Sequence, residues 1–213
     1  MFVIRLLLII YSVFLCCFIS TEFATANSIS QPNQKSMEPT LKQLTQDAVD
    51  ASQVLSPDGK WLAYVAISNF IVPSDCHFLM SKGEYGNAIW IVDLKKLKKR
   101  LLVPSHFSCH EPTQVILDPQ NLQFSPDSKT LYFIAGAWVV SGALHAVDIN
   151  GKNLRFVTDA NEYQVVMDGR YKGDLIVTQH RYRFHGDEPL GSYDWDWLYT
   201  PTGKQIKLYQ RLE

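Results

Sequence analysis

The densest group of chemically capable side chains in this 213-residue chain lies near its end. His180-Arg181-Tyr182-Arg183-Phe184-His185-Gly186-Asp187-Glu188 is followed closely by Tyr193-Asp194-Trp195-Asp196-Trp197. Two chemistries suit such a mixture. Paired carboxylates can serve as general acid and base in hydrolysis, and aromatics beside acids can hold a sugar. The structural alternative, which the residue pattern favours, is an outer sheet face laced by salt bridges with a buried aromatic side. His180, Arg181, Arg183, Asp194 and Asp196 are the candidate binding residues of this cluster.

A second set involves Cys76-His77 and Cys109-His110. Two cysteines in an oxidising compartment are most simply one disulfide. Joining Cys76 to Cys109 closes a loop of about 30 residues, worth on the order of 3 kcal/mol through the unfolded state. Two Cys-His pairs can also make a tetrahedral zinc site. Adjacent residues in an extended chain point opposite ways, however, so each pair can chelate only from an irregular loop. Free thiols are the third reading. The insertion Asn69–Gly86 around Cys76 is more apolar than an idle loop requires, with Ile71, Val72, Phe78, Leu79 and Met80. Phe78 and Met80 are therefore further candidate contacts; covering the end of the first repeat is the competing role.

Other chemistry lacks its signature. There is no Gly-x-Ser-x-Gly elbow, His-Glu-x-x-His, Cys-x-x-Cys or Gly-rich phosphate loop, so no catalytic residue, cofactor or metal is assigned. His145, among apolar neighbours in mid-strand, reads as a core histidine.

The elements that must position these residues begin after residue 40. Arg5 precedes an apolar run from Leu6 to Ile19, and Ala24-Thr25-Ala26 supplies small residues before Asn27. That reads as a signal peptide over residues 1–26, with export to the periplasm or beyond, and an uncleaved anchor as the alternative. No stable membrane insertion is expected after cleavage. Residues 27–40 are polar and read as a flexible leader. The net charge of −1 offers no basic field for nucleic acid. The lone basic run, Lys95–Arg100, reads as a solvated hairpin tip.

Residues 41–213 carry an internal repeat. VLSPDGKWLAYV at Val54–Val65 returns as QFSPDSKTLYFI at Gln123–Ile134. In each, a proline presets the turn, an aspartate can bond nearby amides, and Gly59 or Ser128 takes the position that favours glycine. The segments Ile89–Leu94 and Leu144–Ile149 match as later strands, each ending in Val-Asp and an aliphatic residue. Four short strands per unit over about 50–103, 121–158 and 163–209 predict an all-β, β-propeller-like array of antiparallel blades. The Ser-Pro-Asp-Gly-Lys turn followed by an apolar strand, with a later strand ending Val-Asp-Leu or Val-Asp-Ile, resembles the WD-like propeller repeat of the TolB type. The third unit keeps only Asp168-Gly169 in the turn. The resemblance implies a binding or scaffold role in the envelope and transfers no catalytic residues. Propeller domains of prolyl-oligopeptidase-like enzymes share the repeat, so a carbohydrate- or peptide-processing propeller, or an accessory module of a peptidase system, is the alternative.

Strand alternation refines this expectation. In the first two units both faces are apolar, as in Trp61–Ile67 and Leu131–Ala135, so each sheet must be sandwiched. In the third, the alternation is read as one aromatic face, with Arg181, Arg183, Asp194 and Asp196 on the other. Three units are fewer than a closed ring needs. Leu41–Thr45 is read as the outer strand of a missing blade, and the array as open or completed by a second copy. The partner expected is a protein, with a homodimer as one possibility.

Overall fold

The two Ser-Pro-Asp turns fold alike because the same atoms close them. Ser56 Oγ donates to Asp58 Oδ1 at 2.7 Å, and the Lys60 and Trp61 amides donate to Asp58 Oδ1 and Ser56 Oγ. Ser125, Asp127, Lys129 and Thr130 repeat the pattern. The Ser56 hydroxyl and the Lys60 amide hold the Asp58 carboxyl down at about 2. Gly59 has φ 69° and Ser128 φ 60°, an unfavourable angle for serine. Ser128 is compensated by a tie between repeats: its hydroxyl accepts the Asp58 amide at 3.1 Å.

The computed structural model describes residues 41–49, 52–73 and 85–211. The first sheet holds β1 (Val54–Leu55), β2 (Trp61–Ile71), β3 (Tyr85–Asp93) and β4 (Lys98–Val103). The second holds β5 (Gln120–Phe124), β6 (Thr130–Gly136), β7 (Gly142–Asp148) and β8 (Arg155–Ala160). The third holds β9 (Glu162–Val165), β10 (Leu175–His185), β11 (Glu188–Tyr199) and β12 (Gln205–Arg211). Each is antiparallel, with its strands side by side in chain order. This is a propeller-type array of three blades, and the expected fold class holds.

Two cores run between blades. Ala63, Val65, Ile89 and Ile91 of the first meet Phe124, Leu131, Phe133 and Val147 of the second. The opposite face of the second, with Tyr132, Leu144 and Ala146, meets Val165, Leu175, Val177 and Tyr199 of the third. Inner strands are joined by a side chain: Gln123 donates to the Tyr163 carbonyl and accepts the Val165 amide, both at 3.0 Å. Leaving those groups unpaired would cost on the order of a kilocalorie or more, so the glutamine ties blade two to blade three.

Leu41–Thr45 is not a strand. Residues 41–44 form a helical turn, closed by the Thr45 amide on the Leu41 carbonyl. Leu41, Leu44 and Ala48 pack on Leu62, Tyr64, Ala66 and Val92, and Tyr64 donates to the Leu44 carbonyl at 3.0 Å. The outer apolar face of blade one is thus covered from within the chain, which removes the motive for completing it with a second copy. The basic run is also partly absorbed. Lys99 pairs with Asp47 at 3.1 Å and lies over Trp90, and Arg100 donates to the Ile149 carbonyl.

Candidate functional site

β10 and β11 are longer than any partner on either side, and this mismatch makes the site. β11 follows β10 to His185↔Glu188, whereas β9 stops pairing at Glu162↔Thr178. The two strands continue as a ribbon beyond the blade. Across a gap lie the β6–β7 turn and the outer strand β8. Trp138 and Val140 from the turn, Phe156 and Asp159 from β8, and His180 and Tyr182 from β10 line a groove of about 480 Å³. Thr113, from a 3-10 turn at Pro112–Gln114, and Ser141 complete it.

The groove wall is apolar and open. Trp138 is 39% exposed, Phe156 40%, Val140 50% and Tyr182 53%, an unusual concentration for a surface that has no use for it. Trp138 meets Phe156 edge-on with ring centroids 6.2 Å apart. Behind Phe156 stands His145, 2% exposed and stacked on Phe133 at 5.2 Å. Its buried Nε2 has no hydrogen-bond partner among the described residues, and burial pushes its pKa down to about 4. The imidazole is therefore neutral packing material, as its place in mid-strand suggested.

The polar groups are few and placed. Asp159 Oδ1 accepts from Gln179 Nε2 at 2.9 Å and from the Thr158 hydroxyl at 3.2 Å. No described residue bonds its other oxygen. His180 Nδ1 lies 3.0 Å from Asp194 Oδ1.

The register overturns the expected division of the third blade. Gln179↔Trp195 and Arg181↔Tyr193 are cross-strand pairs, as are Thr178↔Asp196 and His180↔Asp194. Opposed residues share a face. Arg181 and Arg183 therefore stand with Tyr193, Trp195 and Trp197, while Asp194 and Asp196 stand with His180 and Tyr182. The arginines do not pair with the acids. Arg181 lies 4.0 Å over Trp197, and Arg183 lies 5.0 Å from Tyr193 and 5.5 Å from Trp195. Arg181 is further held by Gln179, Tyr199 and Gln205. Asp196 accepts from Thr178 Oγ1 at 2.6 Å. Each carboxylate bonds its own cross-strand neighbour.

Of the residues singled out from sequence, His180 reaches the groove. Arg181, Arg183, Asp194 and Asp196 stiffen the ribbon that carries it. Phe78, Met80 and Cys76 lie outside the described residues, as does the proposed signal segment. Cys109 is disulfide-bonded. Val72, one of the apolar residues of the insertion, is buried against Val115 and Leu117. Among the described residues, no three His, Cys, Asp or Glu side chains are grouped to hold a metal ion, and no helix is long and apolar enough to cross a membrane. Trp138, Val140, Phe156 and Asp159 were missed. The signal for the first two was present: Trp138-Val139-Val140 is an apolar run in a hairpin turn, where polar residues belong.

No protein-family model matches the chain, and no curated protein sequence matches it significantly. Solved structures do resemble it. The β-propeller domain of the Trilobed protease from Pyrococcus furiosus, described as having an open velcro topology, is 13% identical with a TM-score of 0.48. TolB from Acinetobacter baumannii is 12% identical with a TM-score of 0.47. An acylaminoacyl peptidase is 15% identical with a TM-score of 0.48. These alignments take in 78%, 78% and 80% of this chain but only 44%, 33% and 26% of those proteins. The chain thus spans less than half the length of each. Their substrates and partners remain theirs.

Proposed function

We propose that this chain is an exported, non-enzymatic propeller-type binding module that engages a partner protein through the groove between blades two and three. One observation carries the proposal: Trp138, Val140, Phe156 and Tyr182 are left open around a cleft that the adjoining blades could have closed. Exposed apolar area of this kind gains about 25 cal/mol per Å² when covered, and its aromatic content suits a protein contact. The disulfide at Cys109 supports an oxidising compartment, in line with the periplasmic or secreted location expected from the N-terminal segment.

The test is a photo-crosslinker, p-benzoylphenylalanine, placed at Val140 and separately at the exposed Lys60 in cells. The proposal expects one defined partner captured from position 140, absent from position 60, and lost when Trp138→Glu is combined with the Val140 probe. Equal capture at both positions, or none at either, removes the groove as the binding surface.

A further inference from the structure

We infer that the groove captures its partner by strand addition: an extended, basic–apolar peptide segment pairs with the free edge of β10 at His180 and Tyr182. The inference rests on the proposed binding role and specifies its mode and the chemistry of the segment bound.

The backbone argument starts from one bond. The Thr178 carbonyl accepts the Asn161 amide at 2.9 Å, just past the last β9 pair, Glu162↔Thr178. Thr178 therefore directs its main-chain groups away from β11. In a strand these groups alternate sides residue by residue, so His180 and Tyr182 direct theirs to the same edge. The edge at 180–182 has no strand beside it among the described residues, since β9 has ended. Both residues line the groove. A row of open donors and acceptors facing an apolar cleft is what an added strand requires. The adjoining strand face is also held in place: Arg181 is fixed over Trp197 and bonded to Gln179 Oε1 at 3.1 Å, which lowers the ordering cost of binding.

Charge selects among peptides. The carboxylate of Asp159 lines the groove with one oxygen unbonded by any described residue. Asp194 stands beside His180. The nearby cations are spent elsewhere: Arg181 and Arg183 lie over the ring ladder and neither lines the groove. A lysine or arginine opposite Asp159, flanked by side chains that cover Trp138 and Phe156, satisfies both features. An acidic segment would face Asp159 with no lysine or arginine among the groove's lining residues to offset it.

The experiment uses the full chain and an array of seven-residue peptides with Phe, Leu or Val at alternate positions and Lys, Thr or Glu between them. Lys-bearing members are expected to be retained at least about tenfold over their Glu counterparts, and Asp159→Asn to erase that preference. N-methylation of alternate backbone amides in the retained peptides is expected to abolish binding in one register and spare it in the other. Tyr182→Pro should abolish retention while leaving the melting curve near that of the parent, because proline is tolerated where an edge amide faces outward. Retention indifferent to N-methylation in both registers, or a preference for Glu, overturns strand addition. If the Val140 crosslinker still captures its partner in that case, the binding role stands and only its mode falls. No retention together with no crosslink defeats both.

Discussion

Lowering the pH from 7 to 4.5 should weaken this fold through His145. The imidazole sits between Phe133 and Phe156 with Nε2 unpartnered among the described residues, and burial alone brings its pKa from 6.5 to about 4. The unfolded chain binds a proton near pH 6.5 and the folded chain does not until about pH 4. Stability is therefore fully present above pH 6.5 and is lost as pH falls through the interval down to about 4. Each pH unit in that window costs about 1.4 kcal/mol, or on the order of 3 kcal/mol in all, a sizeable share of a typical domain's total. The assay is urea unfolding followed by tryptophan fluorescence at pH 7, 6, 5 and 4.5, for the parent and for His145→Phe. The parent should lose stability across the series and the variant much less. His145→Leu guards against overpacking by phenylalanine, because only the slope with pH matters. Asp58 and Asp127, whose carboxyls are held low by Ser56 and Ser125, lose their contributions below the usual carboxylate range and cancel between parent and variant. Parallel profiles for all three proteins would refute the argument.

Other outcomes follow from packing and turn geometry. Leu44→Asp should uncover Leu62, Tyr64 and Val92 of blade one; light scattering at micromolar concentration should then show a larger mass than the parent's, and an unchanged mass would mean the helical turn is not the cover. Ser128→Ala loses the hydroxyl that accepts the Asp58 amide and keeps the strained φ, so thermal unfolding should show a loss of about 1–3 kcal/mol. Ser128→Gly loses the bond but relieves the angle and should cost less; the reverse order would contradict the account of this turn. Gly203 has φ 87°, and a β-carbon there would press on the Val157 carbonyl across the blade boundary. Gly203→Ala should destabilise by about 1–3 kcal/mol in the same assay.

Fold and site were legible to different depths for a physical reason. The blades announce themselves locally: Ser56-Pro57-Asp58 and Ser125-Pro126-Asp127 close their turns with atoms a few residues apart, so sequence alone suffices. The segment 41–44 did not, because four residues carry too little periodicity to separate a helical turn from a strand. Its partners, Tyr64 and Val92, are distant in the chain. The groove is less legible still. It depends on where β9 ends relative to β10 and on how blades two and three pack on each other, and neither is written in any one segment.

The ribbon shows how little separates a correct list of residues from a wrong site. Alternation along β10 and along β11 was read correctly strand by strand, but alternation leaves open which half of one strand faces which half of the other. A shift of one residue exchanges every partner. In the register adopted, Gln179↔Trp195 sets arginines against indoles and leaves the acids to His180 and Thr178. The opposite register would have placed Arg181 and Arg183 beside Asp194 and Asp196, as a ladder of exposed ion pairs worth little each. Cation–π stacking, at about 0.5–1 kcal/mol or more per contact, holds the arginines against the indoles instead. It also leaves the cations occupied and the β10 edge uncluttered. The register thus keeps Arg181 and Arg183 on the indole face and out of the groove lining, where they would compete for Asp159.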